Sequence, residues 1–227
     1  LTALCRIDDI EWIRLHYAYP TAFPDDVIDV MASEPKICKY LDIPFQHISD
    51  RMLTAMKRRH TKADALALIE RLRERIPDIA LRTTLLVGYP TETEQDMQEL
   101  EQFVRDVRFD RLGVFAYSEE EGTYSARELR DDVPEEEKQR RVDRIMRLQE
   151  GISLENNLAR VGRTMRVIVD SRQGDYYVAR SQYDSPEVDQ EILIPAAAHQ
   201  LRRGHFYDAR ITAAEDYDLY GEVVPRR

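Results

Sequence analysis

The chain has 227 residues, of which 43% are apolar and 33% charged, and its formal net charge is −10. This composition predicts one large or two modest globular domains, excludes a disordered chain and argues against a generic nucleic-acid binder, which would be basic. No segment approaches the roughly 18 apolar residues of a membrane span and no basic-plus-apolar leader is present, so we predict a cytoplasmic protein without a membrane partner.

Two βα units are predicted in the first 76 residues. Residues 10–17 form a strand, and the short helix after it ends at Pro35. Residues 39–46 form the second strand, and two helices follow, of which the second has Thr61 and Asp64 at its start. His47 follows this strand directly and is either a structural hydrogen-bonding histidine or a catalytic one.

A third unit covers residues 81–94. Residues 83–87 are β-branched or leucine with little alternation, which predicts a parallel strand covered on both faces. Gly88 and Pro90 end the strand, and Thr91 with Glu94 predicts a capping box on the next helix. Such a turn is either an ordinary crossover or, as in (β/α) barrels, the place where the chemistry is carried.

Residues 111–117 form the fourth strand, and a long helix runs from Pro134 to about residue 160, before Gly162. Four strands alternating with helices predict an α/β fold with a parallel sheet, which is part of a (β/α) barrel. We therefore assign residues 1–160 to this partial barrel and residues 161–227 to a second domain.

The second domain has the alternating pattern of short strands. Its five predicted strands are residues 165–169, 176–180, 191–194, 207–212 and 219–224, which favours a small antiparallel β-barrel of the oligonucleotide-fold type. Residues 160–227 contain 10 Arg, no Lys and 11 acidic residues, a net charge of −1. Tyr176, Tyr177 and Tyr183 either stack on bases or, more commonly in small barrels, pack in the core or rim.

Four segments carry a family resemblance. In chain order they are WIRLHYAYP, YLDIPFQHISDRMLTAMKRRHT, LLVGYPTETEQD and VFAYSEEEGTYSA. Together with the five-strand module, which resembles a TRAM domain, they resemble the radical S-adenosylmethionine methylthiotransferases over nearly the whole chain. The segment ARSQYDSPEVDQ resembles the RimO branch of this family more than the MiaB branch.

The resemblance implies a reaction with S-adenosylmethionine and two [4Fe-4S] clusters. One cluster cleaves S-adenosylmethionine to a radical that abstracts hydrogen from the substrate, and the other delivers the methylthio group. The RimO branch modifies the β-carbon of an aspartate in a basic small-subunit ribosomal protein. The alternatives are the MiaB-type modification of a tRNA adenosine and a non-enzymatic RNA-binding scaffold, so RNA contact is possible but not favoured.

The sequence departs from this family in its cysteines. The family ligates its radical cluster with a Cys-x3-Cys-x2-Cys loop, whereas this chain has only Cys5 and Cys38, which we predict to be reduced structural thiols. We therefore interpret the chain as the C-terminal part of the enzyme, namely the last four of six barrel strands and the TRAM domain. We expect no metal site and no catalytic residue in it, and no activity from it alone.

Five residues are candidates for contacts with S-adenosylmethionine, because the resemblance and the barrel geometry place strand ends at that pocket. They are Gln46, Arg82, Gly88, Glu92 and Tyr117. Arg82 either pairs with the methionyl carboxylate or forms a structural ion pair. Gly88 gives a ligand access to the backbone, so Gly88→Val is expected to weaken binding more than folding.

Three acidic residues are candidates for substrate binding. Asp184, Glu187 and Asp189 surround Pro186 in a predicted loop, where side chains are expected to be exposed. A ribosomal protein is basic, so complementary charge would accelerate the encounter. The alternatives are a solvated turn and an RNA-binding surface formed by the ten arginines of residues 160–227.

Overall fold

The computed structural model describes residues 1–225 as two folded units. The first contains strands β1 Ile13–Leu15, β2 Ile37–Asp42, β3 Ala80–Val87 and β4 Arg111–Ala116. Its helices are α1 Thr2–Cys5, α2 Asp25–Ser33, α3 Asp50–Ala55, α4 Lys62–Arg75, α5 Glu94–Val107, α6 Tyr124–Glu128 and α7 Glu135–Leu158. The second unit contains β5 Thr164–Gln173, β6 Tyr176–Ser181, β7 Ile192–Pro195, β8 Phe206–Ala214 and β9 Leu219–Val223. Within residues 1–225, every helix is too short or too polar to span a bilayer.

The first unit is built on a parallel sheet in the order β1-β2-β3-β4. This confirms the α/β class and the four predicted strands. Strand β3 alternates, since Leu81, Thr83 and Leu85 are buried while Arg82 and Thr84 are half-buried. The predicted burial on both faces is therefore wrong for β3. One face packs on the main hydrophobic core, and the other remains partly open.

Helix α5 begins two residues later than the sequence predicts. Its capping box is formed by Thr93 and Asp96, not by Thr91 and Glu94. Thr91 instead adopts a left-handed backbone with φ of 73° and lies outside the helix. Thr93 and Asp96 have the same spacing and the same kinds of side chain as Thr91 and Glu94, so the sequence alone did not show which of the two pairs forms the capping box.

Asp96 extends this cap into a buried network. Ser49 Oγ donates to its Oδ1 at 2.7 Å, Thr93 N donates to Oδ2 at 2.8 Å, and Arg51 pairs with the same carboxylate. Burial opposes ionisation of Asp96, but the hydrogen bonds from Arg51, Thr93 and Ser49 outweigh it and lower the carboxyl pKa. The cap therefore also joins α5 to α3.

Asp96→Asn is expected to lower the free energy of unfolding by about 2 kcal/mol near pH 7, because an amide group would face donors. The folded-state pKa of Asp96 lies below its ordinary value of about 3.9. The stabilisation that ionised Asp96 contributes is thus present above its ordinary pKa of about 3.9. It is lost as the pH falls from there through the lower folded-state pKa. Urea unfolding of both proteins from pH 7 to pH 2 tests this, because the stability difference between them is expected to be constant above about pH 5 and to shrink below about pH 4.

Asp64→Asn is the matched control, because Asp64 holds the same capping-box position on α4 but is exposed and forms no ion pair with an arginine of residues 1–225. Its unfolding curves are expected to change less and to show a weaker pH dependence. Equal effects of the two substitutions would contradict a special role for the buried network.

The second unit confirms the five-stranded barrel, which closes in the order β5-β6-β7-β9-β8. Four of its five strand pairs are antiparallel, but β7 and β9 are parallel. The prediction of a wholly antiparallel barrel is wrong at this pair, because β8 lies between β7 and β9 in sequence and reverses the chain. Tyr177 is in the barrel core and Tyr183 contacts Cys38, Tyr40 and Ala80 of the first unit, whereas Tyr176 is 37% exposed.

The barrel docks on the first unit near the starts of β3 and β4. Arg111 Nε donates to Asp184 Oδ1 at 3.2 Å, and both side chains are buried. Arg14 donates to the carbonyl oxygens of Ser181 and Gln182 at 3.1 and 3.2 Å. These contacts make residues 181–184 part of the contact between the two units.

Candidate functional site

The carboxyl ends of the first three strands share an unusual backbone. Tyr17, Gln46 and Gly88 lie just beyond β1, β2 and β3 and have φ values of 55°, 67° and 72°. Left-handed conformations cost energy for residues other than glycine, and such residues cluster at functional sites. Because parallel strands end at the same edge of a sheet, the three turns lie on one side of the first unit.

A cavity of about 300 Å³ opens beside these strand ends. We call it the strand-end cavity, and its lining residues are Gln46, Met56, Lys57, Arg58, Leu86, Tyr89, Thr123, Tyr124 and Ser125. Lys57 Nζ lies 3.2 Å from the centroid of the Tyr124 ring. The cavity therefore combines an amide, a cation and aromatic rings, which can bind a polar ligand with a flat ring.

Tyr117 lies behind this cavity. Its ring packs edge-on against Tyr89, with a centroid separation of 5.0 Å. The Tyr117 hydroxyl is buried and has no hydrogen-bond partner among the described residues. Gln46 and Tyr117, two of the five candidate ligand contacts, are thus brought to the same end of the sheet.

Glu92 is buried, and both oxygens of its carboxylate have partners. Its Oε2 accepts from Gly88 N and from Arg141 Nη1, both at 2.6 Å, and its Oε1 lies 3.1 Å from His47 Nε2. The Glu92 side chain has no exposed surface. In this arrangement the carboxylate holds together the turns after β2 and β3 and the first part of α7.

His47 has one tautomer that fits its contacts. Its Nδ1 accepts from the backbone amides of Ile48 and Ser49 at 2.8 and 3.1 Å, so the proton lies on Nε2 and is donated to Glu92. Both ring nitrogens are therefore occupied by protein partners. This geometry agrees with the structural alternative for His47.

Gly88 is approached closely by a side chain of α7. A Cβ atom placed on Gly88 would lie 2.4 Å from Lys138 Cγ and 3.0 Å from Lys138 Cβ. Lys138 is itself buried and pairs with Asp131 at 2.5 Å. The close approach that the sequence predicts at Gly88 is therefore made here by the lysine stem.

Arg82 lies near the start of β3, away from the strand-end cavity. Its Nη1 is 3.1 Å from Asp42 Oδ1, and its Nε is 3.4 Å from Asp189 Oδ1. Burial works against the charged guanidinium, but the two carboxylates outweigh it and raise the pKa of Arg82. The structure thus contains the ion pair that the sequence left open as an alternative.

The expectation that Asp184, Glu187 and Asp189 are all exposed is wrong for two of them. Asp184 is fully buried against Arg111, and only 2% of the Asp189 side chain is exposed. Burial opposes ionisation of Asp184, but Arg111 and Arg160 outweigh it and lower the carboxyl pKa. Loop position did not reveal that the barrel docks through these residues. Only Glu187 is exposed, and its φ is 65°.

The sequence analysis missed the contribution of α7 to this site. Lys138 and Arg141 are buried and contact the turn after β3. They lie in a charged run that is typical of a solvated helix face. A signal was nevertheless present, because their spacing places them on the same stripe as the buried Ile145 and Ile152.

Comparisons with known proteins identify both units. Residues 1–104 match the family model described as the radical SAM superfamily, and residues 161–224 match the model of the TRAM domain. The chain belongs to the radical SAM superfamily and carries a TRAM domain. The first unit contains this radical SAM match and continues beyond it through α7, and we call the whole unit the radical SAM region.

The similar curated proteins are methylthiotransferases. The chain is 52% identical over 221 residues to "Ribosomal protein uS12 methylthiotransferase RimO" of Bacteroides thetaiotaomicron, covering 97% of this chain and 51% of that protein. A protein of the same name from Parabacteroides distasonis is 54% identical over 222 residues, covering 96% of this chain and 51% of that protein. The chain spans about half the length of these relatives.

A similar solved structure is coproporphyrinogen III oxidase (HemN) from Escherichia coli, described as a radical SAM enzyme. Its TM-score is 0.49 at 20% identity, covering 64% of this chain and 32% of that chain.

The radical SAM region fits S-adenosylmethionine better than it fits a cluster. The Gln46 amide and the Lys57 ammonium that line the strand-end cavity are groups of the kind that bind a purine edge and a carboxylate, and Lys57 lies over one face of the Tyr124 ring. By contrast, Cys5 and Cys38 are buried in different hydrophobic clusters. Among residues 1–225, no group of three His, Cys, Asp or Glu side chains is arranged to hold a metal ion.

Proposed function

We propose that this chain forms part of a methylthiotransferase that adds a methylthio group to the β-carbon of an aspartate in ribosomal protein uS12. The observation that carries this proposal is the identity of 52% to a uS12 methylthiotransferase over 97% of the chain. The 221 aligned residues extend across both the radical SAM region and the TRAM domain, because they cover 97% of the chain. The complete enzyme would use two [4Fe-4S] clusters, held outside the residues of this chain.

We propose the strand-end cavity as the S-adenosylmethionine site. When bound, this cofactor supplies the radical that abstracts hydrogen from the substrate carbon. Gln46 lines the cavity and would hold the ligand from the turn after β2. Tyr117 lies behind the lining residue Tyr89, and its unpaired hydroxyl would bind a ligand that reaches past that ring. Lys57 supplies a cation for the carboxylate of the cofactor.

The other candidate contacts would act less directly. Glu92 and Gly88 would set the shape of the turn after β3, because the Glu92 carboxylate binds the Gly88 amide. Arg82 would bind the cofactor only after separating from Asp42 or Asp189. We therefore assign these three residues to the support of the site, with Gln46 and Tyr117 in contact with the ligand.

The test uses the complete enzyme, reconstituted without oxygen and supplied with S-adenosylmethionine and purified uS12. Mass spectrometry is expected to find one methylthio group on one aspartate of uS12. Transfer RNA in a parallel reaction is expected to remain unmodified. A methylthio group on a tRNA adenosine, with uS12 unchanged, would replace this proposal with the tRNA-modifying alternative.

A Tyr117→Phe variant of the complete enzyme tests the cofactor site. Its affinity for S-adenosylmethionine is expected to fall about 3- to 10-fold, since one hydrogen bond is lost. Its stability is expected to be unchanged or higher, because the hydroxyl has no partner within residues 1–225. Unchanged affinity would remove Tyr117 from the site. Equilibrium binding and a thermal melt of the same preparation separate the two effects.

A further inference from the structure

Residues 185–191 form a ridge between two cavities beside the radical SAM region. The cavities have volumes of about 430 and 340 Å³. Four side chains of the ridge line both cavities: Glu187, Asp189, Gln190 and Glu191. We call this ridge with its two cavities the junction cleft, because Gly113 and Gln149 of the radical SAM region complete the larger cavity.

The junction cleft contains buried amide groups without partners. Gln190 is 7% exposed, and neither its Nε2 nor its Oε1 has a hydrogen-bond partner among the described residues. Gln149 Nε2 donates to the Phe109 carbonyl at 2.9 Å, which leaves Gln149 Oε1 as a buried, unpaired acceptor. Buried polar groups are normally paired, so the two unpaired oxygens, Gln190 Oε1 and Gln149 Oε1, indicate a ligand that donates hydrogen bonds, while Gln190 Nε2 remains available to donate to an acceptor beside it.

The charge of the cleft favours a cation. Within residues 1–225, no Lys, Arg or His forms an ion pair with Glu187, Glu191 or Asp218. Burial raises the pKa of Glu191, and the neighbouring carboxylates Asp218 and Asp170 raise it further. A cationic ligand would relieve this repulsion.

The arginines of the cleft are largely compensated. Arg82 pairs with Asp42 and Asp189, Arg111 pairs with Asp184, and Arg180 pairs with Asp170, while Arg203 is exposed beside the smaller cavity. The uncompensated charge of the larger cavity is therefore negative. An RNA phosphate would be repelled there.

Apolar side chains flank the same cavity. Val188 is 61% exposed and Tyr217 is 46% exposed. Arginine and lysine combine an apolar stem with a charged head that donates several hydrogen bonds. Such a side chain would lay its stem on Val188 and Tyr217 and direct its head towards Gln149 and Gln190.

We propose that the junction cleft binds an arginine or lysine side chain of the protein substrate and so anchors the substrate on the enzyme. This inference rests on the proposed function, because uS12 is taken as the substrate. Gln190 and Glu191 are assigned as specificity-determining residues that do not touch the reacting atoms.

Binding of purified uS12 to this chain is measured for wild type and for two variants at low and high salt. Gln190→Leu keeps the side-chain volume but removes the unpaired amide, and is expected to bind about tenfold more weakly. Its melting temperature is expected to be unchanged or higher. Glu187→Gln with Glu191→Gln is expected to bind about tenfold more weakly at low salt, with a smaller difference at high salt.

Asp175→Asn with Glu222→Gln is the control, because it removes two exposed charges of the TRAM domain that line neither cavity. Its affinity for uS12 is expected to remain within twofold of wild type. Equal losses in the control and in the cleft variant would show a general charge effect and overturn the inference.

Three further results would overturn the cleft inference. The first is that both cleft variants bind uS12 with wild-type affinity, and the second is a lower melting temperature of Gln190→Leu. The third is that uS12 does not bind, while tRNA binds and binds more tightly to the cleft variants. Activity of the complete enzyme separates this inference from the proposed function. If the complete enzyme methylthiolates uS12 and the cleft variants bind uS12 as wild type does, only the cleft inference is rejected. If the cleft variants lose affinity for uS12 but the complete enzyme does not methylthiolate it, only the proposed reaction is rejected.

Discussion

Replacing Arg141 by methionine is expected to lower the free energy of unfolding by about 3–5 kcal/mol, because it leaves a buried carboxylate without its cation. Arg141 Nη1 donates to Glu92 Oε2 at 2.6 Å, and the Glu92 side chain has no exposed surface. Methionine preserves the apolar stem, so the loss reports mainly on the charge. Urea unfolding followed by circular dichroism measures it.

Arg140→Met is the matched control for this prediction. Arg140 is the preceding residue of α7, and its side chain is 71% exposed while it pairs with Glu137. Exposed ion pairs contribute little, so the loss is expected to stay below about 1 kcal/mol. The double variant Arg141→Met with Glu92→Gln removes both charges and is expected to recover part of the stability. Equal effects of Arg140→Met and Arg141→Met would contradict the prediction.

Gly88→Ala is expected to destabilise the chain by about 2–5 kcal/mol, from a left-handed backbone and an overlap with Lys138. The φ of Gly88 is 72°, and the new Cβ would lie 2.4 Å from Lys138 Cγ. This changes the sequence-based expectation that Gly88→Val would weaken ligand binding more than folding. Folding is now expected to suffer first, because the protein itself fills the space beside Gly88.

Two comparisons separate the contributions at Gly88. Gly122 has a φ of 81°, and a Cβ atom added there would meet nothing within 4 Å, so Gly122→Ala is expected to cost only the backbone term, about 1–2 kcal/mol. Adding Lys138→Ala to Gly88→Ala is expected to remove the overlap and recover stability relative to the sum of the single changes. Additive losses would show that Lys138 does not constrain this turn.

Local patterns in the sequence predicted the nine strands, the longer helices and the class of each unit, but not the short helices α1 and α6. Four strands alternating with helices, followed by five short alternating strands, predicted a parallel sheet and a small barrel, and both are present. These features depend on side-chain period and on turn residues within a few positions of each other. The family resemblance likewise rests on four short segments of sequence and does not depend on tertiary contacts.

Tertiary structure decided which charged residues are buried. Asp184 was expected on an exposed loop, but it is buried because the barrel docks through that loop onto Arg111. Arg141 and Lys138 belong to a charged helix segment, yet they are buried because α7 packs across the turn after β3. Arg111 and Asp184 are separated by 73 positions in sequence, and Glu92 and its partner Arg141 are separated by 49. No local pattern encodes such pairs, because their burial depends on how complete elements pack against one another.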